Sequence, residues 1–300
     1  MSLASIQGNT VTVRNAGELI VTATQPGNEK FFAAPPVTQS FTIGFGNLFA
    51  DSIPGLDLWL DAIDINNDGL EDEPNDFLIS NKISLWADRS GNNNSPVEAN
   101  SSRMPTWIDY HSDHSLLGKP VVNFNSQLNQ TLALQSPVPD PAFIFFVAKQ
   151  SFVEESKLLG GDLITTNANG FFSLAYNQYN PEIYSVQPAN NWSVCTLGTS
   201  PPSQNLWVNG ELMGSSSSLL YPAPLNLVSD SFSGDIAEIL VFTQDLNFVN
   251  RQKVEAYLAH KWQLEIRLPE LHPYHNTPPA FGGTQSITWL GLNGVDEDAL

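Results

Sequence analysis

From Pro54 to about Pro279 the sequence keeps one texture: short β-rich runs broken by Gly, Pro, Asn and Ser. The clearest runs are "KPVVNF" (119–124), "AFIFFVAK" (142–149), "GFFSLAY" (170–176), "NLWVNGELM" (205–213) and "GDIAEILVF" (234–242). In "WVNGEL" the pair Asn209-Gly210 sits between two apolar runs, and both residues tolerate positive φ, so a tight hairpin is expected there. One segment departs from this pattern. In "NFVNRQKVEAYLAHKWQL" the residues Val254, Leu258 and Trp262 recur every four positions with Tyr257 beside them, an apolar stripe on a helix. Asn247 is placed to cap its N-terminus, and Pro269 lies beyond its end. The expected fold is all-β, a two-sheet antiparallel sandwich with one short helix on its C-terminal side.

A chain of 300 residues with 41% hydrophobic content is long enough for one large all-β domain with appendages. Residues 1–46 form a separate block of three alternating strands, which are too few to close a sandwich. Residues 280–300 end in the acidic "GVDEDAL" and are expected to be a linker. A net charge of −19, with only 12 Lys and Arg, argues against nucleic acid or an anionic membrane as partner. The single cysteine, Cys195, excludes an internal disulfide and a multi-cysteine zinc site. It is expected as a buried strand thiol. No stretch is long and apolar enough to span a membrane, and the opening "MSLASIQGNTVTV" shows no signal peptide. Both ends look cut, so a piece of a longer protein is expected, with neighbouring domains of the same chain as partners.

Four segments carry a resemblance: "LDLWLDA" (56–62), "ISLWADRSGNNN" (83–94), "GKPVVNF" (118–124) and "GDIAEILVFTQDLNFVNRQKVEAYLAHKWQLEIRLPELHPY" (234–274). This series resembles the LamG-type, concanavalin A-like lectin/glucanase domains of large bacterial extracellular proteins, over roughly 54–279. The resemblance implies a jelly-roll sandwich and an extracellular or cell-surface location. It implies less about activity, because the fold hosts enzymes, lectins and spacers. The block 1–46 resembles the C-terminal half of bacterial immunoglobulin-like repeats, on "NTVTVRNAGELIVTATQPGNEKFFAAPPVTQSFTI".

The run "DINNDGLEDEPND" concentrates six carboxylates in thirteen residues. Asp64, Asn66, Asp68 and Gly69 match D-x-[DN]-x-[DN]-G, the opening of a calcium loop in which alternate oxygens converge on one hard cation. Leu70 would add its backbone carbonyl, Asp72 stands at the ninth position, and Asp76 would replace the twelfth-position Glu, where Asn75 stands. Without a cation these carboxylates repel one another. Ca2+ is the expected cofactor, and a solvated acidic turn is the alternative.

Glucanases of this fold use E-x-D-x-x-E, with one Glu as nucleophile and another as acid/base. The nearest stretch is "SGDIAE", where Asp235 and Glu238 are present but Ser233 stands at the first glutamate. The chain is therefore expected to be non-catalytic. The histidine pairs His111/His114 and His272/His275 are read as surface or capping residues. Asp88 and Ser90 are read as a side-chain-capped turn.

Aromatic rings stack on the apolar face of a pyranose. Trp59, Trp86, Trp207 and Trp262 fall in strand or helix patterns and read as core. Trp107, Tyr176, Tyr179, Tyr184 and Trp192 lie in or beside loops rich in Asn and Gln, and form the expected glycan-facing rim. The reading is a non-catalytic binding module of a secreted or cell-surface bacterial protein, with calcium-supported recognition of a carbohydrate or surface glycan in adhesion. A ligand-free spacer is one alternative. The other is a carbohydrate-active enzyme, which requires two carboxylates about 5–10 Å apart in a cleft.

Overall fold

The computed structural model describes residues 4–7, 10–13, 17–43, 53–69, 71–72, 81–109, 115–152, 155–160, 164–167, 169–174, 183–199, 203–216, 224–279 and 285–288. The chain divides into two compact units, Met1–Pro54 with Ala280–Leu300, and Gly55–Pro279. In the first unit, strands β1 (Ala4–Gln7), β2 (Thr10–Val13) and the last strand of the chain, β19 (Gln285–Thr288), form an antiparallel sheet. Strands β3 (Gly17–Gln25) and β4 (Ala34–Ile43) pair as a hairpin. The segment 280–300 is therefore not all linker: the alternating Gln-Ser-Ile-Thr is too short to stand out in sequence, yet β2 offers it an edge to pair with.

The second unit carries β5 (Leu56–Asp61), β6 (Thr106–Ile108), β7 (Val121–Phe124), β8 (Leu132–Val138), β9 (Phe143–Gln150), β10 (Ser156–Leu159), β11 (Ile164–Thr166), β12 (Phe171–Leu174), β13 (Ile183–Pro188), β14 (Ser193–Gly198), β15 (Gln204–Val208), β16 (Glu211–Ser216), β17 (Leu225–Val228) and β18 (Gly234–Phe242), followed by helix α1 (Phe248–Lys261). The larger sheet runs β16-β15-β14-β9-β18-β7-β6, with β5 also along β18. The smaller runs β13-β12-β11-β10-β17-β8, and the strands of both pair antiparallel. The two face each other. Phe146 on β9 meets Phe172 on β12 edge to face at 5.6 Å, and Gln150 Nε2 donates across to Thr166 Oγ1 at 2.8 Å. This is the expected all-β two-sheet sandwich with a single α-helix among the described residues.

Each local signal has its physical outcome. Asn209 and Gly210 sit at φ 51° and 79°, turning β15 into β16. Asn247 caps α1, its side chain accepting the N–H of Asn250 at 2.9 Å. The stripe Val254, Tyr257, Leu258 and Trp262 is buried. Helix α1 lies on the face of the larger sheet that is turned away from the smaller one. All nine residues of β18 are buried, so that strand reads as a nearly unbroken apolar run instead of alternating.

One irregularity positions the polar residues of that outer face. Along β9, Ile236 pairs with Ala148 but Glu238 pairs with Val147, so Ala237 is an extra, bulged residue. At the same point the other edge of β18 changes neighbour. β7 pairs with Gly234–Ile236 and β5 with Glu238–Phe242, while the Ala237 carbonyl accepts the N–H of Ala62 at 3.0 Å. Side chains alternate along a strand, so residues three apart point to opposite faces. The bulge adds one step and puts Asp235 and Glu238 on the same face, opposite Lys149 and Val147, which are two apart on β9.

Candidate functional site

Beyond the end of α1, the outer face of the larger sheet carries a polar row along one cross-strand line. Lys82 bridges to Thr106, Thr106 pairs with Asn123, Asn123 with Asp235, and Asp235 with Lys149. Four strand-to-strand steps separate Lys82 from Lys149, roughly 19 Å. Lys82 Nζ donates to Thr106 Oγ1 at 3.1 Å and to the Met104 carbonyl at 3.2 Å. Asn123 Nδ2 donates to Asp235 Oδ1 at 2.6 Å, and Lys149 Nζ lies 3.5 Å from Asp235 Oδ2. The row ends at Trp192, whose ring carries the Lys149 ammonium 5.3 Å above its centre. Asp235 is fully buried at the floor, whereas Lys82, Thr106, Asn123, Lys149 and Trp192 are half-buried and reach solvent. Asn123 Nδ2 also donates to the Gly234 carbonyl at 3.4 Å, so the arrangement offers ammonium donors, the amide oxygen of Asn123, a hydroxyl and an aromatic face to one ligand.

Under the helix the same face is closed. Glu238, fully buried, accepts Trp59 Nε1–H at 2.7 Å, Tyr257 O–H at 2.8 Å and Trp262 Nε1–H at 2.6 Å, and Lys261 Nζ stands 2.8 Å from Oε2. Lys261 also reaches Asp61 Oδ2 at 2.6 Å. Arg89 Nη1 lies 3.0 Å from both Asp61 Oδ2 and Asp64 Oδ2, with its guanidinium over the Trp59 ring at 4.9 Å. Burial pushes the Glu238 carboxyl up, Lys261 opposes that and Asp61 adds to it. Burial, reinforced by the Glu238 and Asp61 charges, pushes the Tyr257 hydroxyl well up. Both oxygens of Glu238 are engaged, so its part is to lock α1 onto the sheet.

Of the expected glycan-facing residues, Trp192 stands in the polar row. Trp107 does not belong to a rim. It is fully buried, and its Nε1–H donates to the Ala62 carbonyl at 2.9 Å. The alternation of β6 turns it inward while Thr106 and Ile108 are half-buried. Tyr184 lies on β13, opposite Ser173. Tyr176 and Tyr179 lie outside the described residues, as do Leu70, Asp76, His111 and His114. Cys195 is a buried strand thiol as expected, with burial holding it protonated. Asp88 caps its turn through the N–H groups of Ser90 and Asn94 at 2.9 and 3.0 Å. Lys82, Thr106, Asn123 and Lys149 were not singled out in sequence. The one available signal was a polar residue closing each apolar run, Asn123 in "PVVNF" and Lys149 in "AFIFFVAK".

The acidic loop is organised from within. Asp64 accepts the N–H of Asp68 and of Gly69, each at 3.1 Å, besides its ion pair with Arg89. Asn66 Oδ1 accepts the Asp68 N–H at 2.9 Å, and its Nδ2 donates to Asp68 Oδ2 at 3.2 Å. Asp72 accepts the Ile65 N–H. Burial pushes the Asp64 carboxyl up against the pull of Arg89. Among the described residues no group of three His, Cys, Asp or Glu is gathered to hold a metal ion. No helix among them is long and apolar enough to cross a membrane.

No protein-family model matches the chain, and no curated protein sequence matches it. Among solved structures it is similar to a Trypanosoma rangeli sialidase in complex with 2,3-difluoro-KDN, at 14% identity over 80% of this chain and 35% of that chain, TM-score 0.46. It is also similar to domain 4 of AbnA, a GH43 extracellular arabinanase from Geobacillus stearothermophilus in complex with arabinotriose, at 13% identity over 64% of this chain and 94% of that one, TM-score 0.41. A third is the CBM40 of a Ruminococcus gnavus IT-sialidase bound to α2,3-sialyllactose, at 13% identity over 37% of this chain and 79% of that one, TM-score 0.28. The chain spans about a third of the length of the sialidases it matches. These neighbours are carbohydrate-binding or carbohydrate-active. The expectation of a non-catalytic chain is corrected on this point: sialidases recur among the similar structures, and likeness to enzymes leaves no ground for excluding catalysis.

Proposed function

We propose that Gly55–Pro279 recognises carbohydrate through the outer-face row ending at Trp192, as part of a bacterial cell-surface or secreted protein engaged in adhesion. The observation that carries this reading is the half-buried Trp192 ring beside Lys149, Asp235 and Asn123 on one cross-strand line. A ring face packs on the apolar face of a pyranose while the flanking amide and ammonium take its hydroxyls. The extracellular setting is supported by the LamG-type pattern of the sequence. Titration calorimetry against a panel of oligosaccharides tests the reading. Trp192→Ala is expected to weaken binding about tenfold or more, a loss of about 1.4 kcal/mol or more. Undiminished binding by that variant would remove the row from the site.

Calcium enters the same proposal as the ion that would complete the Asp64–Asp76 loop. Its support is the order of oxygen-bearing residues and the convergence of the Asp68 and Gly69 N–H groups on Asp64. Such bonds hold the first carboxylate of the loop in place. Arg89, 3.0 Å from Asp64, is the group the ion would compete with. Saturable heat on adding calcium to chelator-treated protein, with a raised melting temperature, is the expected result. No heat and an unchanged melt would assign the loop's charge balance to Arg89 alone.

A further inference from the structure

We infer that the carbohydrate taken by the outer-face row is an acidic one, a glycan bearing carboxylates, with Lys82 and Lys149 as the residues that select it. This deepens the proposed function and rests on it. The chain carries 12 basic against 31 acidic residues, and its buried cations are consumed by carboxylates: Arg89 and Lys261 by Asp61, Asp64 and Glu238, and Arg251 by Glu255. Lys82 is different. Its described partners are two neutral oxygens, the Met104 carbonyl and the Thr106 hydroxyl. An ammonium has three donors, so one of its N–H groups remains for a ligand once these two are made. Lys149 shares Asp235 at 3.5 Å, longer than a good charge-assisted hydrogen bond. It rests its charge partly on the Trp192 ring, and its side chain is 23% exposed.

Among the described residues of the row there are thus two cations to one carboxylate, and that carboxylate is buried at the floor. The half-buried side chains around it are Lys82, Thr106, Asn123, Lys149 and Trp192. A surface of overall negative charge repels an acidic polymer at long range, but screening confines that repulsion to about 8–10 Å at ordinary ionic strength. Within that range the row presents positive charge. Its roughly 19 Å from Lys82 to Lys149 exceeds one sugar ring, so a short oligosaccharide fits it better than a monosaccharide.

Two matched pairs of probes test the inference on the intact protein: oligogalacturonate against its carboxyl-reduced counterpart, and sialyllactose against lactose. The acidic member of at least one pair is expected to bind about tenfold tighter than its neutral partner, with affinity falling as ionic strength rises. Lys82→Gln is the chosen variant, because it leaves every described carboxylate paired and should fold. It is expected to remove most of the acidic preference, bringing the affinity ratio of acidic to neutral member close to one. Preference in the first pair alone identifies uronic acids, and in the second alone sialic acids. Equal or tighter binding of the neutral members, or an acidic preference untouched by Lys82→Gln, overturns the inference while the glycan reading stands. Binding of no member of either pair overturns both.

Discussion

Glu238 and Asp235 lie three residues apart on one strand and on one face of one sheet, yet they have different fates. Glu238 is roofed by α1, and each donor around it comes from the protein: two indoles, a phenol and an ammonium. Asp235 is just as buried but lies beyond the helix, and its neighbours Asn123, Lys149 and Trp192 keep part of their surface in water. A buried carboxylate must be matched wherever it sits. What differs is whether the matching groups are also closed off. Roofed, the cluster is a fastening; unroofed, the same chemistry becomes a surface able to bind.

Truncating each carboxylate should separate the two clusters most strongly. Glu238→Ala removes the acceptor shared by two indoles and a tyrosine and leaves Lys261 with Asp61 and the Tyr257 hydroxyl, so a loss of about 3–5 kcal/mol in unfolding free energy is expected. Asp235→Ala frees a lysine that can reach water, and about 1–2 kcal/mol is expected. Denaturant titration measures both, and equal losses would show that the roof makes no difference.

Next come the tryptophans. Trp107→Phe leaves the buried Ala62 carbonyl without its indole donor and should cost about 1–3 kcal/mol with glycan affinity unchanged. Trp192→Ala should do the reverse, weakening binding with little effect on stability. A Trp107 variant that folds but loses affinity would return that residue to the site.

The smallest effect sharpens the roofed side. The folded Tyr257 hydroxyl is held well above the ordinary value of 10.0 by burial and by Glu238. The folded state therefore keeps a proton that the unfolded chain releases. Its stability contribution is complete below pH 10 and is lost as pH rises above it, at up to roughly 1.4 kcal/mol per pH unit. Thermal melts from pH 9 to about 11 should fall more steeply for the native protein than for Tyr257→Phe, and parallel slopes would contradict the burial of that hydroxyl.

Much of the fold was readable because it depends on neighbours along the chain. Period-two alternation, the Asn209-Gly210 turn, the Asn247 cap and the Val254–Leu258–Trp262 stripe each act within a few residues. The buried core tryptophans Trp59, Trp86 and Trp262 were readable for the same reason. The candidate site was not. Trp107 and Trp192 both neighbour polar loops, and only the pairing of β6 with β7 decides that one turns inward while the other stays at the edge. Lys82, Thr106, Asn123, Asp235 and Lys149 come from distant stretches and meet because their strands align in register. A bulge exists only relative to a partner strand, so nothing in "SGDIAE" announces that Ala237 is the extra residue. Without it Asp235 would face the core instead of Lys149. Local pattern settles which residues form strands and helix; side-chain facing and companionship are settled by register, because one residue of slip inverts every side chain that follows.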